Sequence, residues 1–282
     1  MRLLTFGFGY VGAEVARRVT LAGGEVTAMV RQPMELDGVK LVMLADAAGV
    51  QAAVARAEGM LITAPPDEAG CPGLAALAPV IGRVNAFPDW IGYLSTTGVY
   101  GDHEGRWVDE RFPRAARSVE GARRAAAERD WLQMGRGMGL TVSVFRLPGI
   151  YGPGRSALER LREGKARRIV QPGHVFCRVH RDDIATGVLA SMAKPRAGGV
   201  YNLVDDEPAP GEAVIEYAAE LLGMAPPPLT TDVPPASARF YAENRRVANA
   251  LAKAELGWRP SYPTYREGLK AILARRAESP TS

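Results

Sequence analysis

Leu3-Leu4-Thr5-Phe6, followed by Gly7-Phe8-Gly9-Tyr10-Val11-Gly12 and a run to Ala22, is the stretch that decides how this chain folds. Leu3–Phe6 reads as a buried strand, and Val11–Ala22 spaces its apolar residues as a helix does. Strand, glycine turn and helix in that order open a dinucleotide-binding α/β unit. Gly7 lets the chain turn tightly off the strand. Gly9 removes a side chain where a pyrophosphate must approach the backbone, and Gly12 permits close helix–strand packing. The free N–H groups and positive end of the helix then face the phosphates. Gly7, Phe8, Gly9, Tyr10, Val11 and Gly12 are therefore the first candidate cofactor-binding residues.

The same alternation continues outward. Strands are expected at Glu25–Val30, Val39–Leu44, Gly59–Thr63, Trp90–Ser95 and Thr141–Arg146, with helices at Gln51–Ala57, Leu74–Asn85 and Val119–Met134. Strands separated by helices imply right-handed crossovers, hence a Rossmann-type, doubly wound parallel sheet of the α/β class. Past residue 150 the rhythm changes. Gly149–Gly154 is turn-rich, and a helix is expected at Ala157–Glu163, an extended segment at Arg168–Val179, a helix at Asp182–Ala193 and a strand at Val200–Val204. Met224–Pro235 is a proline-rich connector before two late helices near Glu243–Glu255 and Tyr265–Ala277. The expected organisation is a dinucleotide-binding domain from 1–150 plus 179–204, with a smaller, partly interleaved substrate-side domain from 151–178 and 205–282.

Bulk composition narrows the function classes. The 282 residues are 47% hydrophobic and 23% charged, ordinary for a globular chain with a real core. Net charge is only +4, and the densest basic stretch, Lys165 to Arg168, is short and has no interleaved aromatics. That pattern lacks the basic stripe and reading element of a nucleic-acid binder. Cys71 and Cys177 make no disulfide framework, and three histidines make no metal cluster. No apolar run approaches the roughly 20 residues of a membrane span, and the chain opens directly into a strand. A cytoplasmic protein with no metal, membrane or nucleic-acid partner is expected.

The second strand normally ends in an acid that reads the ribose 2′-hydroxyl. Here it ends in Arg31, 19 residues after Gly12. A guanidinium pairs with a 2′-phosphate where a carboxylate repels it, which favours NADP over NAD. Asp46, after the third strand, is a candidate for the adenine edge and equally for a helix N-cap.

Four further motifs extend the pattern along the chain. Ser95-Thr96-Thr97-Gly98-Val99-Tyr100-Gly101 follows the strand at Trp90, and Phe145-Arg146-Leu147-Pro148-Gly149-Ile150-Tyr151-Gly152-Pro153-Gly154 follows the next. Arg178-Val179-His180-Arg181-Asp182-Asp183-Ile184-Ala185 opens a helix, and Tyr201-Asn202-Leu203-Val204-Asp205-Asp206 ends a strand. In order and spacing the chain resembles the extended short-chain dehydrogenase/reductases, the NAD(P)-dependent epimerase/dehydratases acting on nucleotide sugars. Its G-x-G-x-x-G, in place of the group's usual G-x-x-G-x-x-G, marks an atypical branch.

The resemblance implies that Ala64 and Pro65, after the fourth strand, join the cofactor set. It puts Thr96 where the group has the Ser/Thr that hydrogen-bonds the reacting substrate oxygen, and Thr97, Arg155 and Arg178 on the substrate side. The group's catalytic Tyr-x-x-x-Lys is absent. Aligned on Glu128, Glu120 stands in the place of the Tyr and Arg124 in that of the Lys. The phenol moves a proton at the carbonyl, and the Lys lowers its pKa while holding the ribose. Arg124 retains the ribose contact in this reading. Tyr100 is the candidate stand-in acid, the alternative being that, as is commoner for the Tyr of a Val-Tyr-Gly segment, it packs structurally. The alternative for Glu120, Arg124 and Glu128 is an i, i+4 salt-bridge ladder. His180, Asp182 and Asp183 read as structural residues at a helix start, and Trp131, Phe240 and Tyr241 as packing.

Together these features imply an NADP-binding, epimerase/dehydratase-like oxidoreductase with a small-molecule substrate, anionic or a nucleotide sugar. A non-catalytic NADP-binding sensor or scaffold and a non-redox nucleotide-using enzyme stay open as alternatives, and so does a homodimer.

Overall fold

Strands buried on both faces read as continuous apolar runs, and those runs form the centre of this molecule. The computed structural model describes residues 1–84 and 87–278. Seven parallel strands make the main sheet: β1 (Arg2–Phe6), β2 (Glu25–Val30), β3 (Val39–Met43), β4 (Gly59–Ile62), β5 (Trp90–Thr96), β6 (Val142–Leu147) and β7 (Gly199–Asn202). Their spatial order is β7-β6-β5-β4-β1-β2-β3. The chain reverses direction of travel between β1 and β4, so a crevice opens at the carboxyl ends of those two strands.

Period-two alternation divides the core. Leu3, Leu61, Trp90, Leu94 and Phe145 pack on one face with α1 (Tyr10–Leu21) and with Ile184 and Val188 of a later helix. Leu4, Phe6, Met60, Ile62, Ile91 and Tyr93 face the other way. They meet α2 (Ala47–Arg56), α3 (Pro72–Val84) and α4 (Val119–Met138) through Val54, Leu77, Ile81 and Trp131. The expected parallel, doubly wound sheet is what the structure shows.

Several boundaries differ from expectation for physical reasons. The helix expected at Gln51 begins at Ala47, because Asp46 caps it. The Leu74 helix begins at Pro72, while Asn85 lies outside the described residues. Helix α4 runs on to Met138, where Gly139 at φ +67° ends it in the left-handed region.

The remaining chain adds α5 (Ala157–Arg162), α6 (Arg181–Ala193), α7 (Gly211–Leu221), α8 (Pro235–Tyr241), α9 (Ala250–Leu256) and α10 (Tyr265–Glu278). Neither α7 nor α8 was anticipated. The expected helix over Glu243–Glu255 forms only as α9, because Arg246–Val247 pairs as a short strand with Trp107–Val108. Of the extended Arg168–Val179, only Arg168–Ile169 and Arg178–Val179 lie in strands. Leu158, Leu161, Val214, Ile215, Ala218, Leu269 and Ile272 of α5, α7 and α10 form a separate apolar cluster. Among the described residues no helix is long and apolar enough to cross a membrane.

Candidate functional site

The glycine turn nests against the end of β4. Gly7 sits at φ +85°, and a Cβ there would lie 2.9 Å from Thr63 Oγ1 and 3.2 Å from the Ala64 nitrogen. A Cβ on Gly12 would come within 3.3 Å of Thr63 Cγ2, so both glycines are required by close approach. Gly9 differs: it is the N-cap of α1, has no side-chain cap, and a Cβ on it would meet nothing within 4 Å. The space beside Gly9 is open, at a helix N-terminus whose N–H groups are unclaimed by any capping side chain. That cradle suits a diphosphate. Val11 is buried, and Phe8 packs against the core, so these two contribute backbone and packing. Tyr10 donates its hydroxyl to the Pro153 carbonyl at 2.9 Å, tying the turn to the loop after β6.

Arg31 follows β2 directly, is exposed, and has no hydrogen bond or ion pair among the described residues. Asp46 caps α2, accepting from the Gly49 nitrogen at 2.9 Å. Ala64 is half-buried and Pro65 exposed beside the turn.

A cleft of about 920 Å³ opens beyond β5 and β6. Thr96 closes β5 at its rim, and its Oγ1 accepts from the Gly98 nitrogen at 3.1 Å. The Thr96 proton remains available for a ligand. Thr97, only 5% exposed, also lines the cleft. Beneath them Ser95 donates to Glu128 Oε1 at 2.6 Å, and Arg146 donates to both Glu128 oxygens, at 3.1 Å to Oε1 and 2.8 Å to Oε2. Glu128 is fully buried, so this ion pair anchors the end of β5 and of β6 to α4.

The three proposed stand-ins do not converge. Glu120 lines the cleft, but pairs at 2.9 Å with Arg239 of α8. Arg124 turns toward β5 and donates to the Leu94 carbonyl. With Glu128 engaged below, the i, i+4 ladder does not form. Tyr100 is corrected most firmly. It is fully buried, donates to Asn202 Oδ1 at 2.8 Å, and carries the Arg146 guanidinium 4.7 Å from its ring centre. Burial pushes its hydroxyl up to about 12. It lies outside the cleft lining and is not placed to deliver a proton there.

Arg155 and Arg178 both line the cleft. Arg155 is exposed, 5.8 Å from the Tyr10 ring centre. Arg178 lies deeper, donating to the carbonyls of Phe176 and Ala209 at 2.9 and 3.1 Å. Burial lowers its pKa from the ordinary guanidinium value, while nearby Asp205 opposes that shift. Asp205 is 3% exposed, and burial pushes its carboxyl up to about 8. Arg239 and Arg245 also line the cleft and were missed in the sequence. Arg239 fell between the expected connector and helix and Arg245 within that helix, and no local pattern placed them against Gly98.

No protein-family model matches the chain. A Silicibacter pomeroyi DSS protein of unknown function is 41% identical, with 99% of each chain covered and a TM-score of 0.87. UDP-glucose 4-epimerase of Thermus thermophilus, solved with NAD, shares 22% identity over 97% of this chain and 99% of that one, at TM-score 0.78. That likeness is one of fold: the chain shares the α/β architecture of solved epimerases and dehydratases. It shares a family with the Silicibacter protein. Among curated sequences, a 3-diazoavenalumate denitrifying reductase from Streptomyces sp is 32% identical over 139 residues, 45% of this chain and 45% of that protein. The chain spans about half the length of the curated relatives it matches.

Proposed function

We propose that this protein is an NADP(H)-dependent oxidoreductase whose substrate is a small anionic molecule held in the cleft beyond Thr96. The observation that carries it is the open space at Gly9 combined with the unpaired Arg31 at the end of β2. Gly7 to Gly12 and the Ala64-Pro65 turn would hold the dinucleotide, with Asp46 at the adenine side. A bound nicotinamide would supply or accept hydride. The protein's own part is to hold the substrate oxygen with Thr96 and to meet its negative charge with Arg155 and Arg178. A nucleotide sugar fits this description, as bound by structural neighbours such as the UDP-glucose 4-epimerase of Thermotoga maritima.

The Streptomyces relative favours a second substrate class. Its name gives a reductase acting on a diazo compound with loss of nitrogen. Replacing a diazonium group by hydride needs no proton at an oxygen, and so no catalytic phenol. A chain lacking the Tyr–Lys pair is suited to an acceptor of that kind.

The test is a fluorescence titration with NADPH and NADH. NADPH is expected to bind more tightly by about 1–2 kcal/mol, the worth of a charge-assisted contact to the 2′-phosphate. Arg31→Asp should erase or reverse the preference. Equal affinities for the two dinucleotides in the unmodified protein would sink the NADP assignment.

A further inference from the structure

The absent phenol raises the question of what faces Thr96. Nine tyrosines are present, and the structure accounts for each. Tyr93, Tyr100 and Tyr201 are buried in or beside the sheet, and Tyr10, Tyr217 and Tyr262 stand outside the cleft lining. Of the three that line it, Tyr151 aims its hydroxyl at the Thr264 carbonyl on the far side. Tyr265 is 2% exposed among the helices of the separate cluster, and Tyr241 packs against a tilted His174 ring and edge-on to Phe176. No phenol stands beside Thr96.

A guanidinium does. A Cβ on Gly98 would lie 3.4 Å from Thr96 Oγ1 and 4.0 Å from Arg245 Nη2, so both groups border the space beside Gly98. Arg245 reaches it from the segment between α8 and α9. Its Nη1 is held by the Gly101 carbonyl at 2.7 Å and by Glu243 at 2.6 Å. Its Nη2 has no acceptor among the described residues, and the side chain is only 16% exposed. Glu243 and the Gly101 carbonyl thus fix the guanidinium by one edge and leave the other turned to the gap. Preorganised donors of this kind, in a partly desolvated site, are how a developing or resident oxyanion is stabilised.

We infer that Arg245 and the Thr96 hydroxyl together form the seat for an anionic substrate oxygen, in a cleft where no phenol stands beside Thr96. When a carbonyl is reduced there, its carbon takes hydride from a reduced nicotinamide, and the π pair moves onto the seated oxygen. The closing proton comes from water, since a guanidinium keeps its own. A carboxylate or phosphate oxygen fills the same seat without any reaction. The chemistry rests on the oxidoreductase reading, whereas the seat itself can be tested apart from it.

Oxalate serves as the probe, titrated by calorimetry with and without NADP⁺. Arg245→Gln is expected to weaken it about 10- to 100-fold, as loss of a hydrogen bond to a charged group does. Arg245→Lys should recover part of that loss. Gly98→Ala gives a second route that leaves both side chains in place, because its methyl group occupies the space that both border. It should weaken oxalate to a similar degree while leaving NADPH affinity unchanged. Oxalate affinity that is unchanged in both folded variants overturns the inference, as does failure of the unmodified protein to bind oxalate under either condition. If NADPH does not bind but oxalate binding depends on Arg245, the seat stands and the dinucleotide assignment falls.

Discussion

At the scale of single residues, the sequence was most informative where backbone geometry limits the choice. Gly7 and Gly12 are dictated by contacts with Thr63 and Ala64, which any strand–turn–helix of this kind must make. Gly9 has no such contact within the protein, and in the proposed function its missing side chain leaves room for the pyrophosphate. Gly9→Val should therefore leave the unfolding midpoint nearly unchanged while abolishing dinucleotide binding, because its side chain would enter the pyrophosphate's space. A folded variant with unaltered NADPH affinity would show that the cofactor does not cross this turn. Tyr100 shows where residue-level inference fails. A Val-Tyr-Gly loop reads the same whether the ring enters a cleft or the core, and only the partner, Asn202, decides it. Arg245 was invisible for a related reason: its meaning depends on Gly98 and Gly101, far away in sequence.

Among the elements, those with strong local patterns were legible and those fixed by distant pairing were not. Helix α4 was correctly expected to start at Val119, where Ser118 caps it by accepting from the Gly121 nitrogen at 3.1 Å. Its side-chain pairing was not legible, because Glu120 and Glu128 find partners in α8 and β6 rather than one turn along the helix. The Glu128–Arg146 pair has a testable consequence. Breaking a buried ion pair from one side strands the other charge, so Glu128→Ala should cost about 3–5 kcal/mol in urea unfolding. It also removes the acceptor of Ser95, next to Thr96, so oxalate affinity should fall with it. A loss within about 0.5 kcal/mol, typical of a surface substitution, would show that the pair does not hold the ends of β5 and β6.

Taken whole, the molecule was readable up to β6 because its sheet is buried on both sides and its helices are amphipathic. Beyond β6 it was less so, since α5, α7 and α10 share a cluster assembled from well-separated segments. That later part also carries the buried groups that make stability depend on pH. His180 is 1% exposed, accepts from the Asp182 nitrogen at 3.2 Å, and packs against Tyr151 and Tyr262. Burial pulls it down to about 4, with Asp182 and Glu14 opposing that shift and Arg275 and Arg181 reinforcing it. A base depressed on folding gives stability that is present above its unfolded pKa, about 6.5, and lost as pH falls toward the folded value. Asp205 works the other way. Raised by burial to about 8, it gives stability that is complete below the unfolded value and lost as pH rises through 8. Asp183, pushed up to about 6 by burial, adds to that loss. Between pH 4 and 6.5 the His180 and Asp205 slopes oppose each other, so the profile of the unmodified protein conceals both. Asp205→Asn separates them. Below pH 8 the native carboxyl is largely protonated, so an amide of the same shape removes its proton linkage without taking a charge from Arg178. The variant should gain on the unmodified protein by up to about 1.4 kcal/mol for each pH unit between the unfolded and folded values of Asp205. Urea unfolding at pH 5, 6.5 and 8 measures the difference. Parallel profiles for the two proteins would mean that Asp205 titrates alike in the folded and unfolded chain, and that its burial is relieved by water.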